Sequence, residues 1–215
     1  MLEKEKATYN QLAGKKVQRI EAISDGVFAI AMTLLILDIK VPLSEGIHTE
    51  SDLSAAFFAL SPKLLSYLLG FMTLGIFWTG HTTQYSFIEK SDRHLNWLSL
   101  FFLLFVSLLP FTTAFLSEYI DFKFSIGLYW LNIFLMGIIL LIHWNYAARH
   151  HFFTATNEDI DVVSNVVKRR IIVAQSLYAA GALLCFISTY LSVVVIILIQ
   201  LNYAVALFSN PNKKK

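Results

Sequence analysis

The chain has 215 residues, 56% of them hydrophobic and only 15% charged, with a formal net charge of +2 and a mean hydropathy of +0.61. Soluble domains carry about 25% charged residues, so this composition excludes an ordinary water-soluble globule and predicts an all-α integral membrane protein. The basic residues form no groove-lining cluster interleaved with aromatics, which excludes a nucleic-acid surface.

Residues 1–21 hold `MLEKEKATYNQLAGKKVQR`, which has no apolar h-region or small-residue cleavage site. The expectation is an N-terminal cytoplasmic segment and a first span that is retained. Six apolar segments follow, each near the ~20 residues that a bilayer core requires of a helix. They run over 22–41, 59–79, 97–116, 125–147, 171–189 and 192–208, so that 22–208 reads as one six-helix transmembrane domain and 209–215 as a basic tail. The break between the last two, in `FISTYLSVV`, offers only Ser and Thr as turn material; a single long helix and a tight hairpin both fit, and the length of the run favours the hairpin. Short alternating segments of the β-barrel kind are absent.

Charge placement predicts orientation. Of the seventeen Lys and Arg residues only Lys40, Lys63 and Lys123 fall on one side of such a bundle, leaving fourteen on the side of both termini. The positive-inside rule places that side in the cytoplasm. On the opposite side Asp38, Glu45, Glu50, Asp52, Glu118 and Asp121 outnumber the three lysines, which predicts a mouth that attracts cations.

Polar residues in hydrocarbon need a reason. In `AISDGVFAIAMTLLILDIKVP` (22–42), Ser24 and Asp25 either cap the first helix and complement its dipole, or face other helices and fix its rotation, with Arg19 and Glu21 as neighbours. Trp78 and His81, three apart at the end of the second span, share a face on the same side. His143, His150 and His151 suggest a metal, but no His or acidic pair repeats at i, i+4 within a span, so neither a metal nor another cofactor is expected. Cys185 lies in an apolar run and reads as packing. No nucleophile stands with a base and no phosphate loop follows a strand, so the chain is not expected to be an enzyme.

The first span carries two stripes in helical projection. Ile30, Leu34 and Leu37 follow i, i+4, i+7, with Ile23 two turns earlier; Ala22, Gly26, Ala29 and Thr33 form a neighbouring stripe of small residues. Ordinary bundle packing explains both. Several copies around an axis would instead use the small stripe for close approach and the bulky one for a constriction.

`RIEAISDGVFAIAMTLLILDIKVP`, `FWTGH` and `DRHLNWLSLFFLLFVSLLPF` together resemble the first-, second- and third-helix signatures of the prokaryotic homologues of the lysosomal potassium channel transmembrane protein 175. The resemblance implies a single six-helix repeat, a homotetramer in a prokaryotic cell membrane, and a pore lined by the first helix without a carbonyl filter loop. It places the apolar constriction on Ile30, Leu34 and Leu37, the pore threonine on Thr33, and an interhelical network on Arg19, Ser24, Asp25, Trp78 and His81. Ile23 departs from the family's usual Phe before Ser-Asp. The implied function is a potassium-permeable channel, less permeable to sodium, that partners only itself, lipid and monovalent cations. A proton-coupled or other secondary cation transporter is the alternative.

Overall fold

The computed structural model describes residues 16–44, 46–153 and 157–208. Lys4, Lys6, Lys15 and the basic tail at Lys213, Lys214 and Lys215, which belong to the fourteen basic residues on the side of the termini, and Glu45 on the opposite side, lie outside the described residues. Among those described, the chain forms seven α-helices: α1 Val17–Leu34, α2 Glu50–Ala59, α3 Ser61–Tyr85, α4 Arg93–Glu118, α5 Lys123–Arg149, α6 Asn157–Leu183 and α7 Thr189–Phe208. Five segments among the described residues are long and apolar enough to cross a membrane: Val17–Asp38, Ser61–Tyr85, Arg93–Glu118, Lys123–Arg149 and Ile160–Phe186. A sixth apolar helix, Thr189–Ala204, is shorter.

Helix boundaries correct the sequence reading in three places: at the starts of α1 and α6, because a helix continues past the hydrocarbon wherever its own bonds hold, and at α2, which lies in a segment read as a connection. α1 starts at Val17, with Lys16 as a cap that supplies no side-chain bond. Ser24 and Asp25 are thus well inside it, beyond the first turn in which a carboxylate feels the dipole. The Ser24 hydroxyl donates to the Ile20 carbonyl at 2.8 Å, so it caps nothing. The connection between the first two apolar segments, 42–58, contains the start of α2, whose N-terminus is a capping box: the Asp52 N–H donates to Thr49 Oγ1 at 3.1 Å and the Thr49 N–H donates to Asp52 Oδ2 at 2.9 Å. α6 begins at Asn157, making Lys168, Arg169 and Arg170 helical. The final run is a hairpin, broken by a 3₁₀ turn at Leu184–Phe186 and tied by the Ser192 hydroxyl, which donates to the Gly181 carbonyl at 2.7 Å.

α1 packs on α3 and α4, α4 on α5, α5 on α6, α6 on α7, and α7 returns to α3. Phe28, Leu69, Leu74, Phe102, Val106, Tyr129 and Met136 form the centre. Lipid is as apolar as this core, so burial alone does not choose helix partners; packing and interhelical hydrogen bonds do. The Gln200 amide donates to Thr73 Oγ1 at 2.6 Å, and the hydroxyls of Thr73 and Tyr129 are 2.7 Å apart, joining α3, α5 and α7. At the end of the bundle where α1 begins, Asp92 caps α4 by accepting from the Leu95 N–H at 2.8 Å and accepts the Tyr146 hydroxyl from α5 at 2.6 Å. The Glu89 N–H donates to the Phe152 carbonyl at 2.9 Å, so the two connections at this end hold each other.

Candidate functional site

α1 divides into two opposite faces at about 100° per residue. Val17, Ile20, Ser24, Phe28 and Ala31, with Leu35 beyond, are buried within the subunit. Ile30, Leu34 and Leu37 point away from it and are 61%, 44% and 68% exposed. The helix tightens into a 3₁₀ turn at Leu35–Asp38. Since side chains three apart eclipse in that geometry, Leu34 and Leu37 stack along one line. Ala22, Gly26, Ala29 and Thr33 are exposed as well, so neither stripe is used for packing inside the subunit.

Thr33 has a defined polarity. Its hydroxyl donates back to the carbonyls of Ala29 at 3.0 Å and Ile30 at 2.9 Å. With the proton committed to the helix, the oxygen turns its lone pairs outward, which suits a cation and not an anion.

Asp25 sits on a third flank. The Trp78 indole N–H donates to Asp25 Oδ1 at 2.9 Å, tying α1 to α3. Both residues border an apolar groove of 610 Å³ between these helices, lined further by Ala29, Met32, Phe71 and Gly75. Among the described residues neither His81 nor Arg19 bonds Asp25 directly. The His81 ring is buried, stacked on Phe102 with centroids 5.1 Å apart and planes within 4°, and its Nε2 bonds nothing in the protein. Arg19 is exposed and, among the described residues, pairs with no carboxylate. Ile23 is half-exposed beside the buried Ser24, so its departure from Phe changes an outward surface and not the subunit core.

One buried network escaped the sequence reading. His143 on α5 lies 3.2 Å from both Gln84 Oε1 and the Tyr85 hydroxyl, and that hydroxyl lies 2.5 Å from Ser99 Oγ. The Gln84 amide N–H donates to the Leu140 carbonyl at 3.2 Å, which turns Oε1 toward the ring. With Oε1 as the acceptor, the geometry assigns a proton to His143 Nδ1. The signal was present as two polar residues in apolar spans, but their separation of 59 residues carries no local pattern. No group of three or more His, Cys, Asp or Glu suited to a metal exists among the described residues.

The sequence profile of the family described as endosomal/lysosomal potassium channel TMEM175 matches residues 19–110. A Streptomyces collinus protein named a potassium channel is 45% identical over 102 residues, covering 47% of this chain and 48% of that protein. One from Chamaesiphon minutus, also named a potassium channel, is 33% identical over 190 residues, 86% of this chain and 92% of that one. The human endosomal/lysosomal proton channel TMEM175 is 35% identical over 142 residues, covering 62% of this chain and 28% of its own length. The chain thus spans about half of the Streptomyces relative and a smaller part of the human one. The crystal structure of a lysosomal potassium-selective channel TMEM175 homolog from Chamaesiphon minutus superposes with a TM-score of 0.75 at 30% identity, over 88% of this chain and 97% of that one. With near-complete coverage of a relative above 30% identity and the same helical fold, this multi-pass membrane protein belongs to the TMEM175 family.

Proposed function

We propose that the protein is a potassium-permeable cation channel, a homotetramer of six-span subunits with both termini in the cytoplasm and α1 of each subunit lining a central pore. One observation carries the reading: α1 buries one face in its own subunit and leaves Ile30, Leu34 and Leu37 exposed on the other. In a lone subunit these side chains would only meet lipid. Around a fourfold axis they form stacked apolar rings, which give a cation no ligands and close by dewetting. Thr33, on the flank of the stripe, supplies outward oxygen lone pairs, and we assign it the discrimination of potassium from sodium. The potassium channels among the relatives support the ion, while the human proton channel makes protons the competing permeant species.

The Trp78–Asp25 bond fits a positioning role in this scheme, since it anchors α1 to α3 on a flank separate from the stripe. Single-channel recording of the reconstituted protein in planar bilayers tests the proposal. Unitary currents whose reversal potential follows the potassium gradient, and shifts little with a proton gradient, are the expected result. Saturable flux without unitary events would favour the carrier alternative and reject the pore.

A further inference from the structure

Beside the Leu34–Leu37 end of α1 the subunit contains a cavity of 270 Å³, between the 3₁₀ turn, the start of α3 and the last third of α4. Asp38, Lys63, Ser66, Pro110 and Thr113 are among its walls. Two of its walls carry unpaired hydroxyls, as Ser117 and Tyr178 do elsewhere in the bundle. Elsewhere in the spans Thr33, Thr73, Thr79, Thr82 and Ser99 donate to carbonyls three or four residues back. Ser66 and Thr113 are 2% and 3% exposed, and their hydroxyl oxygens have no partner in the protein. A buried hydroxyl left unpaired in an apolar bundle is unfavourable, so two of them lining one cavity point to a guest that bonds them. Gly70 permits the arrangement, because a Cβ there would stand 2.9 Å from Thr113 Oγ1 and from Leu35 Cδ2.

The charge of the cavity selects the guest. Lys63 Nζ is 3.4 Å from Glu118 Oε2, so its charge is matched from outside the walls, and Asp38 is left as the net negative group. An anion would meet that carboxylate. A divalent cation of the calcium or magnesium type takes six or more oxygen ligands, commonly from several carboxylates, and one carboxylate with two neutral hydroxyls is a poor set. A monovalent cation that keeps part of its hydration fits, since a water occupies about 30 Å³ of liquid and the cavity has room for the ion and several waters.

We propose that this cavity is a holding site for a partly hydrated monovalent cation at the Asp38 end of the pore, with Asp38 supplying charge and the Ser66 and Thr113 hydroxyls supplying oxygen ligands. The inference rests on the channel reading for its role, which is to set how the current saturates with the cation concentration on that side. It does not rest on that reading for the site itself.

Two measurements on the full-length protein test it. Thallium(I) replaces potassium in crystals of the parent and of the Ser66→Ala/Thr113→Val double variant, and anomalous scattering locates it. In bilayers, conductance is titrated with potassium applied to the Asp38 side and separately to the opposite side. A thallium peak in the parent cavity that the double variant lacks is the expected result. The half-saturating potassium concentration on the Asp38 side should rise about tenfold in the double variant, the scale of one charge-assisted hydrogen bond, with no change from the other side. The double variant keeps every charge and removes only unpaired hydroxyls, so its thermal melt should match or exceed the parent's. No thallium in the parent cavity overturns the proposal. So does parent-like saturation in the double variant while Asp38→Asn shifts it, because a surface field alone then explains the acid. A parent that conducts nothing would reject the channel reading, and the thallium peak would still decide the site.

Discussion

Leu34 and Leu35 are adjacent, chemically identical and opposite in exposure, so truncating each in turn tests the proposed pore. Leu35 is 4% exposed, and its Cδ2 lies so close to α3 that a Cβ on Gly70 would come within 2.9 Å of it. Leu35→Ala opens a cavity between α1 and α3. Core leucine truncations in water-soluble proteins cost about 2–5 kcal/mol. Lipid removes most of the transfer contribution but not the loss of packing, so about 2 kcal/mol is expected here. Leu34 is 44% exposed in the subunit, and its free side faces the proposed bore. Truncation there leaves no sealed void, and a loss below about 1 kcal/mol is expected, the lower range for side chains outside a core. In the proposed tetramer, however, four side chains would shorten at once and the ring would admit water. Thermal melts and bi-ionic reversal potentials on reconstituted Leu34→Ala and Leu35→Ala should therefore split: Leu34→Ala melts near the parent with higher flux and weaker potassium preference, and Leu35→Ala melts lower with its pore properties kept. A Leu34→Ala protein that melts as low as Leu35→Ala with unaltered permeation would refute the assignment of the stripe to the pore.

Thr33→Ala, which removes the outward oxygen while changing the bore little, should shift the potassium-to-sodium reversal potential more than it changes total conductance; an unchanged reversal potential would exclude the hydroxyl as a ligand. Trp78→Phe deletes the donor to Asp25 and should lower tetramer survival in detergent by roughly 1 kcal/mol per lost interhelical bond without altering ion preference. A Cβ on Gly137 would overlap the Gln175 amide, which donates to the Ile133 carbonyl at 3.3 Å, so Gly137→Ala should destabilise the parent yet be neutral or stabilising in a Gln175→Ala background, as read from melts of the four proteins of the cycle. The Thr49 side chain, with the backbone N–H groups of His48 and Thr49, holds the Asp52 carboxyl below its ordinary value. A depressed carboxyl contributes stability above its unfolded pKa of about 3.9 and loses it as pH falls through the lower folded value, so amide protection factors at 50–53, corrected for intrinsic exchange, should hold from neutral pH down and fall only in acid; a fall already near pH 6 would contradict the capping box.

Six apolar runs were legible because a bilayer imposes a length on them, and helix ends were not, because it imposes none on their continuations. α1 runs back through Arg19 to Val17 and α6 back through the basic triplet to Asn157, where water and headgroups accept charged side chains on a helix as readily as on a loop. α2 was passed over for the complementary reason: ten residues cannot span, although Thr49 and Asp52 at N-cap and N3 are a readable start signal.

Rotation about each helix axis is the harder quantity, and it decides function. Phe28, Ala31 and Leu35 are no more hydrophobic as a set than Ile30, Leu34 and Leu37, so in a solvent as apolar as the core the period of the pattern finds both stripes and cannot say which faces inward. Polar side chains break the tie. Ser24 turns its side of α1 into the subunit, Asp25 meets Trp78 on the flank, and the exposed stripe proposed to line the pore is what remains opposite. Gln84 with His143, and Gln200 with Thr73, fix α5 and α7 against α3 in the same way, through partners 59 and 127 residues apart. Each such bond is modest in energy, but its alternative is an unpaired group in hydrocarbon, so a handful of them selects one arrangement of helices whose apolar surfaces would accept many.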